Sequence, residues 1–314
     1  MSTPLRPMST GEILDRTFNL YRNNFVLFAG IAVVPPALML VVQLIQAGMV
    51  AAPSHPRAAG AGLLVAGGLG MIVGWMAYVV GIAVAHAATV FAVSAVHLGR
   101  TTTIGESYGR VKGRYGRVVW VIFQVGLRSF LPAMLLIVVA AVLMPLAMAG
   151  GGKAAAGVAA GVAAIVVGLA VIAAAIVGIL LYLRYSLAVP ACVLEDIKAT
   201  AAVKRSATLS AGSRGQIFVI YFLMAIITYI VMFVFFIPAT FLAAVVAKGS
   251  PAVATLFAGL AMFLAGALAG PIATIALSLV YFDQRVRKEA FDLQLMMAAV
   301  DGTPLPGAQA ASVG

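Results

Sequence analysis

Residues 215–247 read GQIFVIYFLMAIITYIVMFVFFIPATFLAAVVA, thirty-three positions without one Lys, Arg, Asp or Glu. A bilayer core of about 30 Å needs only some 20 apolar residues of helix, so this run is long enough to cross. The run does not alternate in polarity, which argues against a barrel strand. Five further stretches read the same way, at about 25–50, 61–97, 118–148, 154–189 and 252–282. Several exceed 30 residues and must tilt, bend or reach beyond the hydrocarbon. Composition agrees. Hydrophobic residues make up 63% of the 314 and charged residues 9%, against roughly 45–50% and about 25% in soluble domains. The expected fold is an all-α polytopic bundle of six transmembrane helices.

Charge gives an orientation. Sixteen of the 20 Lys and Arg fall in the N-terminal segment, the second and fourth loops and the tail. Three (Arg57, Lys153, Lys248) fall in the other loops, and Arg128 lies inside a span. All nine acids are on the cation-rich side. Cationic loops stay cytoplasmic, so both termini are expected there. The net charge of +11 then points to anionic lipid rather than nucleic acid. A leader of 24 residues carrying Glu12 and Asp15, before about 26 apolar residues, does not fit a cleavable signal peptide. The single cysteine, Cys192, allows no internal disulfide and no multi-cysteine metal site.

A repeat organises the chain. Ser9-Thr10-Gly11-Glu12 leads to Arg16 and Tyr21, and Thr103-Ile104-Gly105-Glu106 leads to Arg110 and Tyr115, at a constant offset of 94. Each places Ser or Thr three residues before Glu, the capping-box spacing of a helix start, with Arg one turn on. A degraded third copy runs from Lys198 to Arg214, without the Gly-Glu pair. The unit expected is a short interfacial cytoplasmic helix followed by a transmembrane hairpin. Residues 1–300 then form one membrane domain of three repeats (about 1–97, 98–192 and 193–290), and 301–314 a disordered tail.

Candidate sites follow from residue type and place. Arg16, Arg22, Arg110, Arg114 and Arg128 are candidates for lipid headgroups, with interleaved Ile13, Leu14, Phe18 and Tyr21 at the apolar boundary. The alternative for the surface helices is plain anchoring. Arg128 either marks the cytoplasmic interface or meets an anion in the bundle. His86, Thr89 and His97 share one helical face and, with Arg128, would line a polar crevice; otherwise His86 is a hydrogen-bonded interior residue. Pairs of glycines four apart (Gly70 and Gly74, Gly157 and Gly161, Gly266 and Gly270) suggest that the second, fourth and sixth spans pack closely together. Pro35-Pro36 and Pro271 should bend their spans. No catalytic motif, paired carboxylates within a span or clustered metal ligands occur, so neither enzyme chemistry nor a metal or cofactor is expected.

The pattern R-P-x-S-x-G-E-I-L-D-R-x-F-x-L-Y-R over Arg6–Arg22 resembles a bacterial membrane family, the proteins grouped with the membrane domain of glycerophosphoryl diester phosphodiesterase. Similarity continues at 98–106, 194–206 and 281–293. The resemblance implies a six-helix protein of the bacterial plasma membrane, and not an esterase, because the soluble catalytic barrel of that phosphodiesterase has no counterpart here. It carries over no catalytic residue. Two functions are therefore expected as alternatives. One is a non-catalytic protein organising anionic lipid, or a protein partner or second copy, at the cytoplasmic face. The other is a small transporter or permease subunit using the His86 and Arg128 crevice.

Overall fold

A computed structural model describes residues 6–51, 60–148, 153–246, 250–290 and 297. Among them there are helices and no strands. In chain order the helices are α1 (Thr10–Asn23), α2 (Phe25–Ala32), α3 (Val34–Ala51), α4 (Gly60–His97), α5 (Ile104–Val111) and α6 (Tyr115–Met148). They continue with α7 (Lys153–Tyr185), α8 (Ala188–Leu194), α9 (Ala199–Leu209), α10 (Arg214–Val246) and α11 (Pro251–Glu289). Five stretches are each long and apolar enough to cross a membrane, and α2 with α3, bent by 41°, would make a sixth. The chain is a multi-pass membrane protein. The tail at 301–314 lies outside the described residues.

The bend between α2 and α3 comes from Pro35 and Pro36, as their sequence position predicted. Neither has an N–H, so the carbonyls of Ile31 and Ala32 lose their helical donors four residues on. The Ile31 carbonyl instead accepts from the Tyr108 hydroxyl at 2.6 Å, a partner supplied by α5. Ile104, at the start of α5, fills the space that Gly30 leaves on α2. The short helix and the broken span thus hold each other in place.

Helix α11 is the hub. It packs against α10 and α3 most extensively, and also against α1, α2, α4, α8 and α9. Its glycines allow the close approach: a methyl on Gly266 would stand 3.2 Å from Pro36 Cβ. On α4, Gly74 meets Val42 of α3, 2.5 Å from where a methyl would lie. Helix α7 packs chiefly against α6 and makes few contacts elsewhere. Large apolar side chains such as Ile165, Leu169 and Ile172 of α7 stand exposed, as they should where lipid is the solvent.

At one end of the bundle α1, α5, α8 and α9 form a polar layer. Both predicted capping boxes are present: Ser9 with Glu12 opens α1, and Thr103 with Glu106 opens α5. The Ser9 N–H donates to Glu12, with Arg6 beside it, and this holds the Glu12 carboxyl below its usual range. Glu106 is held low in the same way, first by the Thr103 N–H. Helix α9 starts at Lys198 with no side-chain cap.

Candidate functional site

The polar layer is tied together by its own acids. Asp283, 1% exposed, accepts from the Met8 N–H at 2.7 Å and from Arg287 Nε at 2.8 Å. Arg287 also donates to the Met8 carbonyl at 2.7 Å. The segment before α1 is thereby stitched to the end of α11, across 275 residues of sequence. A buried carboxylate is tolerated because its lone pairs are taken.

A second knot joins α8, α9 and α11. Glu195 accepts from Arg205 Nε at 2.9 Å and from the Tyr281 hydroxyl at 2.7 Å. Arg205 also pairs with Glu289, which pairs with Arg285 at 3.1 Å. Burial alone would lower the Arg205 guanidinium pKa, and Glu195 and Glu289 more than offset it, raising it. Lys288 donates to three carbonyls at the end of α9 (Thr208, Leu209 and Ala211), where a cation suits the helix dipole. Arg114 and Arg117 both pair with Asp196, at 3.2 and 2.5 Å.

With those acids engaged, a set of cations is left over. Arg22, Arg100, Arg110, Lys112, Lys198, Lys204 and Arg214 are all exposed. They form no ion pair among the described residues. Arg22, Arg110 and Lys204 sit on short helices, Arg214 opens α10, and Arg100, Lys112 and Lys198 lie in the connections beside the short helices, in the layer that holds the paired acids.

Under α1 lies a polar pocket of about 370 Å³. Arg6, Glu12, Asp15 and Arg16 line one side, His97, Phe282 and Asp283 the other. Burial lowers the pKa of half-buried Arg16. His97 is 8% exposed and stacks on Phe282 at a centroid distance of 5.1 Å. Neither of its ring nitrogens has a hydrogen-bond partner.

The predicted crevice is not one site. His86 and Thr89 line a separate cavity deeper in the bundle. His97 belongs to the pocket under α1, and Arg128 lines neither. Arg128 is exposed on the outer face of α6. The shared face of α4 is real in angle, but His86 and His97 are eleven residues, or ~16 Å, apart along the axis. Buried Val90, Val93, Ile275, Leu279 and Phe282 fill the intervening core.

Of the headgroup candidates, Arg22 and Arg110 are exposed and Arg16 is half-buried in the pocket. Arg114 is committed to Asp196. The expected mutual packing of glycines on the second, fourth and sixth spans is not what occurs. Gly74, Gly266 and Gly270 face the first span instead, at Val42, Pro36 and Ala32. A methyl on Gly70 or Gly161 would meet nothing within 4 Å, and the Gly157 environment is outside the described residues. Four-residue spacing marks a smooth helix face but does not name the partner.

Asp283, Glu195, Glu289 and the deeper cavity were not foreseen as functional features. The acids carry no local signal of their role because their partners, such as Met8 for Asp283 and Tyr281 for Glu195, are remote in sequence. Among the described residues no group of three or more His, Cys, Asp or Glu could hold a metal ion. No family model, curated protein or solved structure matches the chain.

Proposed function

We propose that the chain is a non-catalytic membrane protein that gathers anionic lipid on the cytoplasmic side of a bacterial plasma membrane. In this reading it crosses six times as three repeated hairpins of about 94 residues, each led by an interfacial helix (α1, α5, α9), with both termini cytoplasmic. The resemblance to the phosphodiesterase membrane-domain family belongs to the same proposal. The observation that carries it is the excess of exposed cations in the layer, Arg22, Arg100, Arg110, Lys112, Lys198, Lys204 and Arg214 among them, that form no ion pair among the described residues, against two exposed acids there, Asp15 and Glu106, that form none. Each cation near an anionic surface contributes about 1 kcal/mol, so together they favour a ring of anionic headgroups around the layer. Arg128, with 20 residues of α6 beyond it, snorkels to the same interface.

The test is association of spin-labelled phosphatidylglycerol with the full chain in phosphatidylethanolamine bilayers. Charge reversal at Arg22, Arg110 and Lys204 together should weaken the motionally restricted fraction several-fold, and salt should weaken the wild type in the same direction. An unchanged fraction would remove the proposal.

The second reading, a small transporter or permease subunit, draws support from the cavity at His86 and Thr89. The apolar layer at Val90, Val93 and Leu279 between that cavity and the polar layer weighs against it, as does the position of Arg128 outside it.

A further inference from the structure

The cavity that His86 lines lies between α3, α4, α10 and α11, beside the bend at Pro35-Pro36. Its volume of about 390 Å³ falls in the ~300–1,000 Å³ range of small-molecule sites. Along α11 the lining runs from Gly259 to Thr274, about 22 Å of helix. So little volume spread over that length fits one chain rather than two. The wall is mostly Met, Leu, Ile, Phe, Ala and Gly, and none of the 22 lining residues is charged.

A few polar groups stand in that wall without partners. His86 makes no hydrogen bond among the described residues, and no carboxylate is at hand to balance an imidazolium. The neutral ring offers one N–H donor and one acceptor. The Gln43 amide oxygen is buried and unpartnered against Gly259. Ala32, which also lines the cavity, has prolines three and four residues on, so no helical N–H serves its carbonyl. Unpaired buried polar groups are costly in a dry interior. At the His86 end a guest hydroxyl can donate to the Ala32 carbonyl or the unprotonated ring nitrogen and accept from the ring N–H.

We propose that this cavity is a binding site for a neutral, single-chain amphiphile with a hydroxyl head, the head held beside the Pro35-Pro36 bend by His86 and the Ala32 carbonyl and the chain lying along α11 towards Gly259 and Gln43. A plain acyl chain of a bulk phospholipid would leave the polar groups unpaired. A charged head would enter without a counter-ion. The site is separate from the polar layer, and its ligand class differs from the anionic lipid proposed above, so either proposal can fail alone.

The experiment is photolabelling of the full chain in lipid nanodiscs. The probe is a diazirine-bearing 1-O-alkylglycerol, compared with its di-O-methyl ether, with labelled peptides mapped by mass spectrometry. Saturable labelling of α3, α4 and α11 at the cavity is expected. It should fall about fivefold for the ether and for His86→Leu, the size of one lost hydrogen bond. Ala269→Leu, which fills the cavity, should abolish it. Should Ala269→Leu fail to fold, His86→Asn, which keeps a donor and an acceptor at the head end, should retain most of the labelling that His86→Leu loses. Equal labelling by the alcohol and the ether would overturn the proposal. So would labelling no greater than on the lipid face of α7, or equal labelling of the cavity by a diazirine phosphatidylglycerol.

Discussion

Helices α4 and α7 are both long apolar spans, yet half of the most apolar stretch of α4 is buried inside the protein and only 11% of that of α7 with α8. The stretch on α7 and α8 is the most apolar of the five and the least buried. Within lipid, apolarity does not draw helices together, because the tails are equally apolar. What holds α4 is shape: Gly74 on Val42, Gly81 on Leu38, and the break at Pro35-Pro36 received by Gly266. What holds the α6–α7 hairpin is polar and lies at one end. Ser206 and Ser210 donate to the Arg184 carbonyl at 3.1 and 2.9 Å. Ser206 also accepts from the Leu187 N–H at 3.0 Å, and Arg114 and Arg117 hold Asp196. The bundle is thus packed by fit on one side and tethered by hydrogen bonds on the other.

The largest effect expected is at the knot shared by both sides. Asp283→Ala removes the acceptor for Met8 and Arg287 and should cost about 3 kcal/mol. It should lower the thermal midpoint and make the segment before α1 sensitive to protease. On the fitted side, Gly74→Leu forces a side chain into Val42 and should cost about 2 kcal/mol. Gly161→Leu on α7 should stay within about 0.5 kcal/mol. Equal costs at the two glycines would erase the contrast. On the tethered side, Ser206→Ala loses two buried hydrogen bonds, about 1.5 kcal/mol. It should raise hydrogen exchange at the ends of α7 and α9 while leaving α4 and α11 unchanged.

Tyr108→Phe is smaller, about 1 kcal/mol, since it strands only the Ile31 carbonyl. The smallest effect concerns pH. The Glu106 carboxyl is held low by the Thr103 N–H, so its share of stability is present above the unfolded value and is lost as pH falls through the folded one. Exchange at the first amides of α5 should rise on acidification below about pH 4. Glu106→Gln keeps a capping side chain and should flatten that step.

Much of this architecture is legible in single residues. The expected span at 215–247 is α10 within a residue at each end, because an uncharged run of that length has no soluble alternative. The capping boxes at Ser9 and Thr103 were readable because a cap is a local device three residues long. The bend at Pro35-Pro36 was readable because proline lacks an N–H. Partners are a different matter. Asp283 and Met8 are 275 residues apart, and nothing local to either names the other. The glycine pairs showed where backbones could approach and not which helix would arrive. His86 and His97 share a helical face, but an angular pattern carries no depth, so one crevice became two separated sites. The break after Tyr185 has its own local cause in Pro190, whose missing N–H leaves the Ser186 carbonyl without a helical donor.

The central claim is that the layer built from α1, α5 and α9 lies on one face of the membrane, the anionic cytoplasmic one. Cysteine accessibility in intact cells tests it directly, on a chain whose buried Cys192 is replaced by Ala. Single cysteines at Thr10, Gly105 and Thr200 should resist a membrane-impermeant maleimide until the cells are opened, while one at Lys153 should react from outside. Labelling of any of the three layer positions in intact cells would contradict the account.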